Sequence, residues 1–356
     1  MRIAQIAPLI ESVPPRLYGG TERVVSWLTE ELVRQGHDVT LFASGDSKTA
    51  ARLISVAPEA IRLNKEIKIG IALHMVVLEK VFQMVDQFDV LHFHVDLFHY
   101  PVCKRLSGVS WLNTLHGRLD FDELSRFYEE YREAPVVSIS DAQRTPIPWL
   151  NWRATIHHGL PASLYTFHGS PSDYLLFLGR ISPEKRVDRA IEIAGRTGQR
   201  LVVAAKVDPA DEDYFKDTIK PLLNNPLVEF IGEVSQDQKD ELIGNARALL
   251  FPIEWPEPFG LVTIEALACG TPIIAWNHGS VPEIVEPGVT GFICSSMDEA
   301  VKAVQNVDLI SRHKCREVFE RRFEVKVMAD KYLSVYKGLL ETNRAPAVKP
   351  PKVVST

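Results

Sequence analysis

Residues 248–276 read ALLFPIEWPEPFGLVTIEALACGTPIIAW. Ala248–Ile253 and Pro272–Trp276 are short apolar runs, and the stretch between them, Leu261–Cys269, has the composition of a helix. Both runs are too continuously apolar to be half-exposed. They read as neighbouring strands of a parallel sheet buried on both faces, joined by a crossover helix.

The same alternation extends outward in both directions. Towards the N-terminus, Tyr174–Leu178, Arg200–Ala204 and Val228–Gly232 read as strands, with helices at Glu184–Arg196, Asp211–Leu223 and Gln236–Asn245. A polar patch, Phe167–Asp173, precedes this series, and a second series lies before it. Ile3–Pro8, Asp38–Ala43, Phe88–His94, Trp111–His116, Val136–Ser140 and Ala154–His157 read as strands there. Thr21–Gln35, Ile69–Asp86, Phe121–Arg132 and Ala142–Leu150 read as helices, the first closed by Gly36. Two strand–helix series imply an α/β chain of two Rossmann-like, doubly wound domains, residues 1–160 and 161–323, facing each other across a cleft. Residues beyond Met297 read as helical and charged. The tail, 342–356, holds Pro346, Pro350 and Pro351 and few large apolar groups, so it is expected to be disordered.

Size and composition agree with that reading. The chain has 356 residues, enough for two domains, with 46% apolar and 24% charged residues. Its net charge is −6 and neither half is basic, which argues against nucleic acid as a main partner. Four cysteines lie far apart with no C-x-x-C pair, a usage that suits a reducing compartment. No apolar stretch reaches the roughly 18 residues of a spanning helix, and Glu11 ends the only N-terminal apolar run. The expectation is a soluble cytoplasmic protein, with peripheral membrane contact left open.

Within the opening stretch, Phe259 and Gly260 stand just before a helix. Gly260 lets a ligand approach the backbone, and the first amides of the helix carry partial positive charge, so a diphosphate would be stabilised there. Glu257 precedes the helix and Glu265 lies about one turn inside it. Two carboxylates flanking an anion site suit a ligand with sugar hydroxyls on both sides of its phosphates.

Gly179-Arg180-Ile181-Ser182-Pro183-Glu184-Lys185 follows a strand and opens a helix. Ser182, Pro183 and Glu184 are ordinary helix-start residues. Arg180 and Lys185 are not: two cations at a helix N-terminus oppose its dipole, and an anion between them would resolve the conflict. Tyr18-Gly19-Gly20-Thr21-Glu22 permits close backbone approach before the first long helix. His116-Gly117 sits at the carboxyl end of a strand, where a side chain faces the cleft. His92, His94 and Asp96 alternate along another strand and read as polar cleft lining, with His94 and Asp96 as acceptor-side candidates. No matching downstream ligand set accompanies them, so no metal site is expected.

Taken together these residues resemble the retaining GT-B glycosyltransferases of family 4 (glycosyl transferases group 1), over roughly residues 1–340. The motifs are Gly19-Gly20-x-Glu22, Gly36-His37-Asp38-Val39-Thr40, His116-Gly117, Ser138-Ile139-Ser140, Gly179-Arg180-x-x-Pro183-Glu184-Lys185 and the pair Glu257/Glu265. The resemblance implies that Gly20 lies near the donor's phosphates and that Arg180 and Lys185 stabilise the leaving diphosphate. It also implies that Glu257 and the amides of Phe259, Gly260 and Leu261 hold the donor sugar, Glu265 the ribose, and that His116 meets the sugar near its anomeric carbon. Segment 324–341 would cross back to the first domain. Such enzymes need neither metal nor cofactor beyond the sugar donor itself. The chain departs from the family pattern at His157-His158-Gly159-Leu160-Pro161 and at Ala204-Ala205-Lys206, near the expected nucleobase pocket.

The expected activity is transfer of a sugar from a nucleotide-diphosphate sugar, of UDP-glucose or GDP-mannose type, to an acceptor hydroxyl with retention of configuration. The acceptor would be a sugar, a lipid-linked or a small molecule. A nucleotide-sugar epimerase, a glycoside phosphorylase and a non-catalytic nucleotide-sugar-binding protein are the alternatives.

Overall fold

The computed structural model describes residues 1–16 and 19–344. Tyr18 and the tail from 345 onward lie outside the described residues; residues 342–344 continue the last helix.

Seven strands form the first sheet: β1 (Arg2–Ile6), β2 (Asp38–Phe42), β3 (Arg52–Ile54), β4 (Val90–Phe93), β5 (Ser110–Thr114), β6 (Val136–Ser138) and β7 (Trp152–Thr155). Their order is β3-β2-β1-β4-β5-β6-β7 and every pair is parallel. Six strands form the second: β8 (Leu175–Ile181), β9 (Leu201–Val207), β10 (Val228–Gly232), β11 (Ala248–Phe251), β12 (Ile273–Trp276) and β13 (Gly291–Cys294). Their order, β10-β9-β8-β11-β12-β13, repeats the first pattern. In each sheet the chain starts in the middle and reverses direction, between β1 and β4 and between β8 and β11. Ligand crevices of doubly wound sheets open at such reversals, outside the carboxyl ends of the strands.

The apolar runs are buried because both faces of each sheet are covered. Ile3 pairs with Val39 on one side and Val90 on the other, and all three are buried. One apolar cluster runs from these residues through Leu160 to Ile264, Phe319 and Tyr336, so the two lobes share a core where they join. Leu160 sits in that junction: its amide donates to Phe323 O at 3.0 Å, and its carbonyl accepts from Val325 at 2.9 Å. From there the helix Val325–Arg344 returns to the first lobe and packs on the helix Gly20–Arg34 and on β5.

Several elements differ from the expectation. The helix expected over Ala142–Leu150 is a single turn, Asp141–Arg144, because Pro146 and Pro148 follow and cannot continue it. The helix expected from Glu184 begins at Val187; Pro183–Lys185 form a 3-10 turn, and Arg186 is left-handed at φ 53°. Lys185 therefore precedes the helix instead of standing in its first turn. The helix expected over Asp211–Leu223 contains a π segment, Phe215–Ile219, ahead of Pro221. Strands β3 and β13 were not expected, since three and four residues carry too little pattern to register.

Candidate active site

The carboxyl ends of the central strands of both sheets open on one cavity of about 650 Å³ between the lobes. Gly19, Gly20 and His116 line it from the first lobe. Arg180, Lys185, Glu257, Phe259, Gly260, Leu261 and Glu265 line it from the second.

Gly260 is where backbone geometry decides the residue. Its φ is 81°, and a Cβ there would come within 2.9 Å of the Phe251 ring. This turn aims the start of the helix Leu261–Cys269 at the cavity. Phe259 contributes its backbone and not its ring: the side chain is buried against His158, ring centroids 4.8 Å apart. Ser280 braces the turn, donating Oγ–H to Phe259 O at 2.7 Å and its amide to Glu257 O at 3.0 Å.

Glu257 is 9% exposed. Its Oε2 accepts from Trp255 Nε1 at 2.9 Å and pairs with the Lys185 ammonium, which stands over the Trp255 ring at 5.0 Å. Arg180 faces three carboxylates: Glu184 at 2.7 Å, Asp211 at 3.4 Å and Asp208 at 3.6 Å. Burial alone would raise the Glu184 carboxyl, but its own amide and the cations Arg180 and Lys185 outweigh it and hold the group below its usual value. Glu265 is nearly inaccessible, and both its oxygens lie 3.3 Å from Lys239 Nζ. The stretch Ala204-Ala205-Lys206 also lines the cavity, with Lys206 paired to Asp208 at 2.5 Å.

On the first lobe, Gly19 has φ 149°, and a Cβ there would meet Pro15 at 2.9 Å. Gly20 opens its helix directly opposite Leu261: a Cβ there would lie 3.6 Å from Leu261 Cδ1. Arg23 donates to Gln236 Oε1 across the same gap at 3.0 Å. Glu11, Glu22 and Arg62 complete this wall. Glu22 accepts the Glu11 amide at 3.3 Å, and burial raises its pKa; Glu11 pairs with Arg62. His116 stacks on His158 with centroids 5.4 Å apart, and burial pushes its pKa down to about 3, so it is a neutral imidazole.

Two acceptor-side candidates do not reach the cavity wall. His94 is buried behind His116, bonded to His116 Nε2 at 2.9 Å and to Gln5 at 2.7 Å. Asp96 is exposed and lies beyond β4, which ends at Phe93, so the strand alternation that aligned it with His94 no longer applies. His92 is not cleft lining either: it is buried between Tyr336 and Thr114. Among the described residues no group of three or more His, Cys, Asp or Glu side chains is placed to hold a metal ion. Sequence reasoning missed Lys239, Trp255, Glu11, Arg62 and the carboxylates around Arg180. Glu184 stood inside a quoted motif, but its helix-start role accounted for it; nothing in the local sequence marked the others.

Two parallel-sheet lobes with one crevice of about 650 Å³ at facing switch points, lined by Arg180, Lys185, Glu257 and Glu265, define a GT-B architecture. Residues 18–145 match the Glycosyltransferase Family 4 domain and residues 167–320 the Glycosyl transferases group 1 domain. An uncharacterized glycosyltransferase of Methanocaldococcus jannaschii is 24% identical over 95% of this chain and 99% of its own. AviGT4, a glycosyltransferase of avilamycin A biosynthesis, superposes with a TM-score of 0.72 at 23% identity, covering 96% of this chain and 98% of its own. Anabaena HepE in complex with UDP-glucose superposes with a TM-score of 0.72 at 17% identity, covering 95% and 100%. The chain belongs to the group 1, family-4-type glycosyltransferases. Among the described residues no helix is long and apolar enough to cross a membrane.

Proposed function

We propose that this enzyme transfers a hexosyl group from a nucleotide-diphosphate sugar to an acceptor hydroxyl with retention of configuration, without a metal. The observation that carries the reading is convergence. Arg180, Lys185 and the helix start at Gly260–Leu261 all line one cavity, flanked by Glu257 and Glu265. Charge develops on the diphosphate as it leaves, and preorganised cations and amides stabilise it there. Arg180 and Lys185 supply the positive charge that a divalent cation would otherwise bring. Glu257 accepts hydroxyls of the sugar and Glu265 those of the ribose, while His116 meets the sugar beside the anomeric carbon. A leaving phosphate oxygen takes the acceptor proton, so no protein nucleophile is required. Closure of the lobes excludes water and limits hydrolysis. The solved HepE complex with UDP-glucose favours uridine and glucose as the first donor to try. A sugar, lipid-linked or small-molecule acceptor would enter along the wall of Glu11, Glu22 and Arg62.

The test is incubation with UDP-glucose, GDP-mannose and ADP-glucose, each with and without a panel of hydroxyl acceptors and inorganic phosphate. A transferase releases the nucleoside diphosphate only with an acceptor and forms a glycoside of the donor's anomeric configuration. An epimeric sugar nucleotide, or a sugar phosphate formed from phosphate and a glycoside, would overturn the reading.

A further inference from the structure

Behind His116 runs a continuous chain of hydrogen bonds that begins on the C-terminal helix. Gln5 Nε2 donates to the Tyr336 hydroxyl at 3.2 Å. His94 Nε2 meets Gln5 Oε1 at 2.7 Å, and His94 Nδ1 meets His116 Nε2 at 2.9 Å. Tyr336 also contacts His92 Nδ1 at 2.7 Å, and His92 Nε2 meets Thr114 Oγ1 at 2.8 Å. Gln5, His92 and Tyr336 are fully buried, and His94 nearly so.

The direction of each link follows from what each group can do. An amide oxygen only accepts, so His94 carries its proton on Nε2 and leaves Nδ1 bare. A bare Nδ1 only accepts, so His116 carries its proton on Nε2. His116 Nδ1 is then a lone pair, and in the structure it is buried without a partner. The reverse order needs the Gln5 amide turned end for end. It would also leave His116 with a buried N–H that has no acceptor, a rare and costly arrangement.

We propose that Gln5 and His94 are positioning residues, through which the C-terminal helix holds His116 as an Nε2–H imidazole whose Nδ1 can only accept a hydrogen bond. The functional half of this inference rests on the reading that His116 meets the donor sugar. Nδ1 is shielded in this arrangement of the lobes. Once lobe closure on the donor turns it to the sugar, an Nδ1 acceptor takes a sugar hydroxyl and repels a phosphate oxygen, and so helps to register the sugar at His116 and the diphosphate at Arg180 and Lys185. Helix Val325–Arg344 thereby reaches the reaction centre without touching the substrate.

Long-range ¹H–¹⁵N correlation on ¹⁵N-histidine-labelled full-length protein reads the tautomer directly, with His116→Asn identifying the resonances. The expected spectrum shows a single Nε2–H form for His116; an Nδ1–H form in the unsubstituted protein overturns the proposal. Gln5→Leu and His94→Phe should mix the two forms and lower donor kcat/KM by about 10–100-fold, the loss found when the hydrogen-bond partner that orients a metal-ligating histidine is removed. Gln5→Glu keeps an acceptor for His94 and should restore both the single form and most of the rate. Folded Gln5→Leu and His94→Phe proteins with an unchanged tautomer and unchanged kcat/KM would overturn the proposal. A shifted tautomer with unchanged kcat/KM would leave the relay standing and overturn the sugar contact instead. Should the substituted chains fail to fold, the spectrum of the unsubstituted protein still decides the tautomer.

Discussion

Lys185 and Glu257 form an ion pair that joins the turn Pro183–Lys185, which follows β8, to the Glu257–Glu265 segment, which follows β11. Both side chains are largely shielded from solvent, so each neutralises the other at close quarters. On the proposed reading a diphosphate takes over Lys185, and Glu257 turns to the sugar hydroxyls. The pair keeps two buried charges compensated in the meantime, which matters because an isolated buried charge is costly.

Lys185→Ala removes one preorganised cation from the leaving group and strips Glu257 of its counter-charge. Turnover should fall by about 10²–10³-fold, the usual loss for one such group, or about 3–4 kcal/mol. Steady-state kinetics over a range of donor concentrations checks this; a near-normal kcat and kcat/KM would defeat the assignment.

Glu265→Ala should act on binding. Charge-assisted hydrogen bonds contribute about 1.5–3 kcal/mol, so donor KM should rise roughly 10–100-fold with kcat little changed. The reverse pattern, a large fall in kcat at constant KM, would show that Glu265 works at the reacting carbon.

Gly260→Ala forces a Cβ onto a left-handed residue and against the Phe251 ring. The left-handed conformation alone costs roughly 1–2 kcal/mol, and the contact adds to it. Thermal unfolding should show a lower Tm, and nucleotide binding should weaken because the helix start moves. An unchanged Tm would mean that the turn relaxes freely.

Glu283, on the second lobe, accepts the amides of Asp141 and Ala142 at 2.8 Å each and His157 Nε2 at 2.9 Å. It thus caps a helical turn of the other lobe. Burial alone would raise its pKa, but His157 and the two amides outweigh burial and hold it below 4.5. A depressed carboxyl contributes stability that is complete above the unfolded-state value and is lost as pH falls through the folded value. Glu283→Gln should therefore be less stable at neutral pH by about 1–3 kcal/mol. It should also lose less stability than the unsubstituted protein as pH falls below the ordinary glutamate range and through the lowered value of Glu283. Parallel Tm-against-pH curves for the two proteins would contradict this.

Much of the architecture was legible because buried parallel strands leave long apolar runs. Ile3–Ile6, Val90–Phe93 and Ile273–Trp276 are buried along their whole lengths. The short edge strands Arg52–Ile54 and Gly291–Cys294 were not legible, and the apolar pattern of Ala142–Leu150 hides the stop that Pro146 and Pro148 impose on a helix there. Most motif residues of the site could be found since they stand at or just after a strand end or beside a glycine turn, and Glu265 because it lies one turn inside the helix that such a turn opens. What stayed hidden depends on tertiary contact. Lys239 meets Glu265 from a helix 26 positions away in the chain, and Asp208 and Asp211 reach Arg180 from the loop after a neighbouring strand. His94 misled for a related reason: its polarity serves a buried chain of partners supplied in part by Tyr336 on the C-terminal helix, far away in sequence.

The central claim is that Arg180 and Lys185 grip a diphosphate between the lobes. Calorimetric titration of UDP, GDP and ADP into the unsubstituted protein and into the Arg180→Ala/Lys185→Ala double variant tests it most directly. One of the three should bind the unsubstituted protein, and the double variant should bind that nucleotide at least about 10²-fold more weakly, as two charge-assisted contacts are lost. Equal affinity in the two proteins, or no binding of any nucleoside diphosphate, would contradict the account.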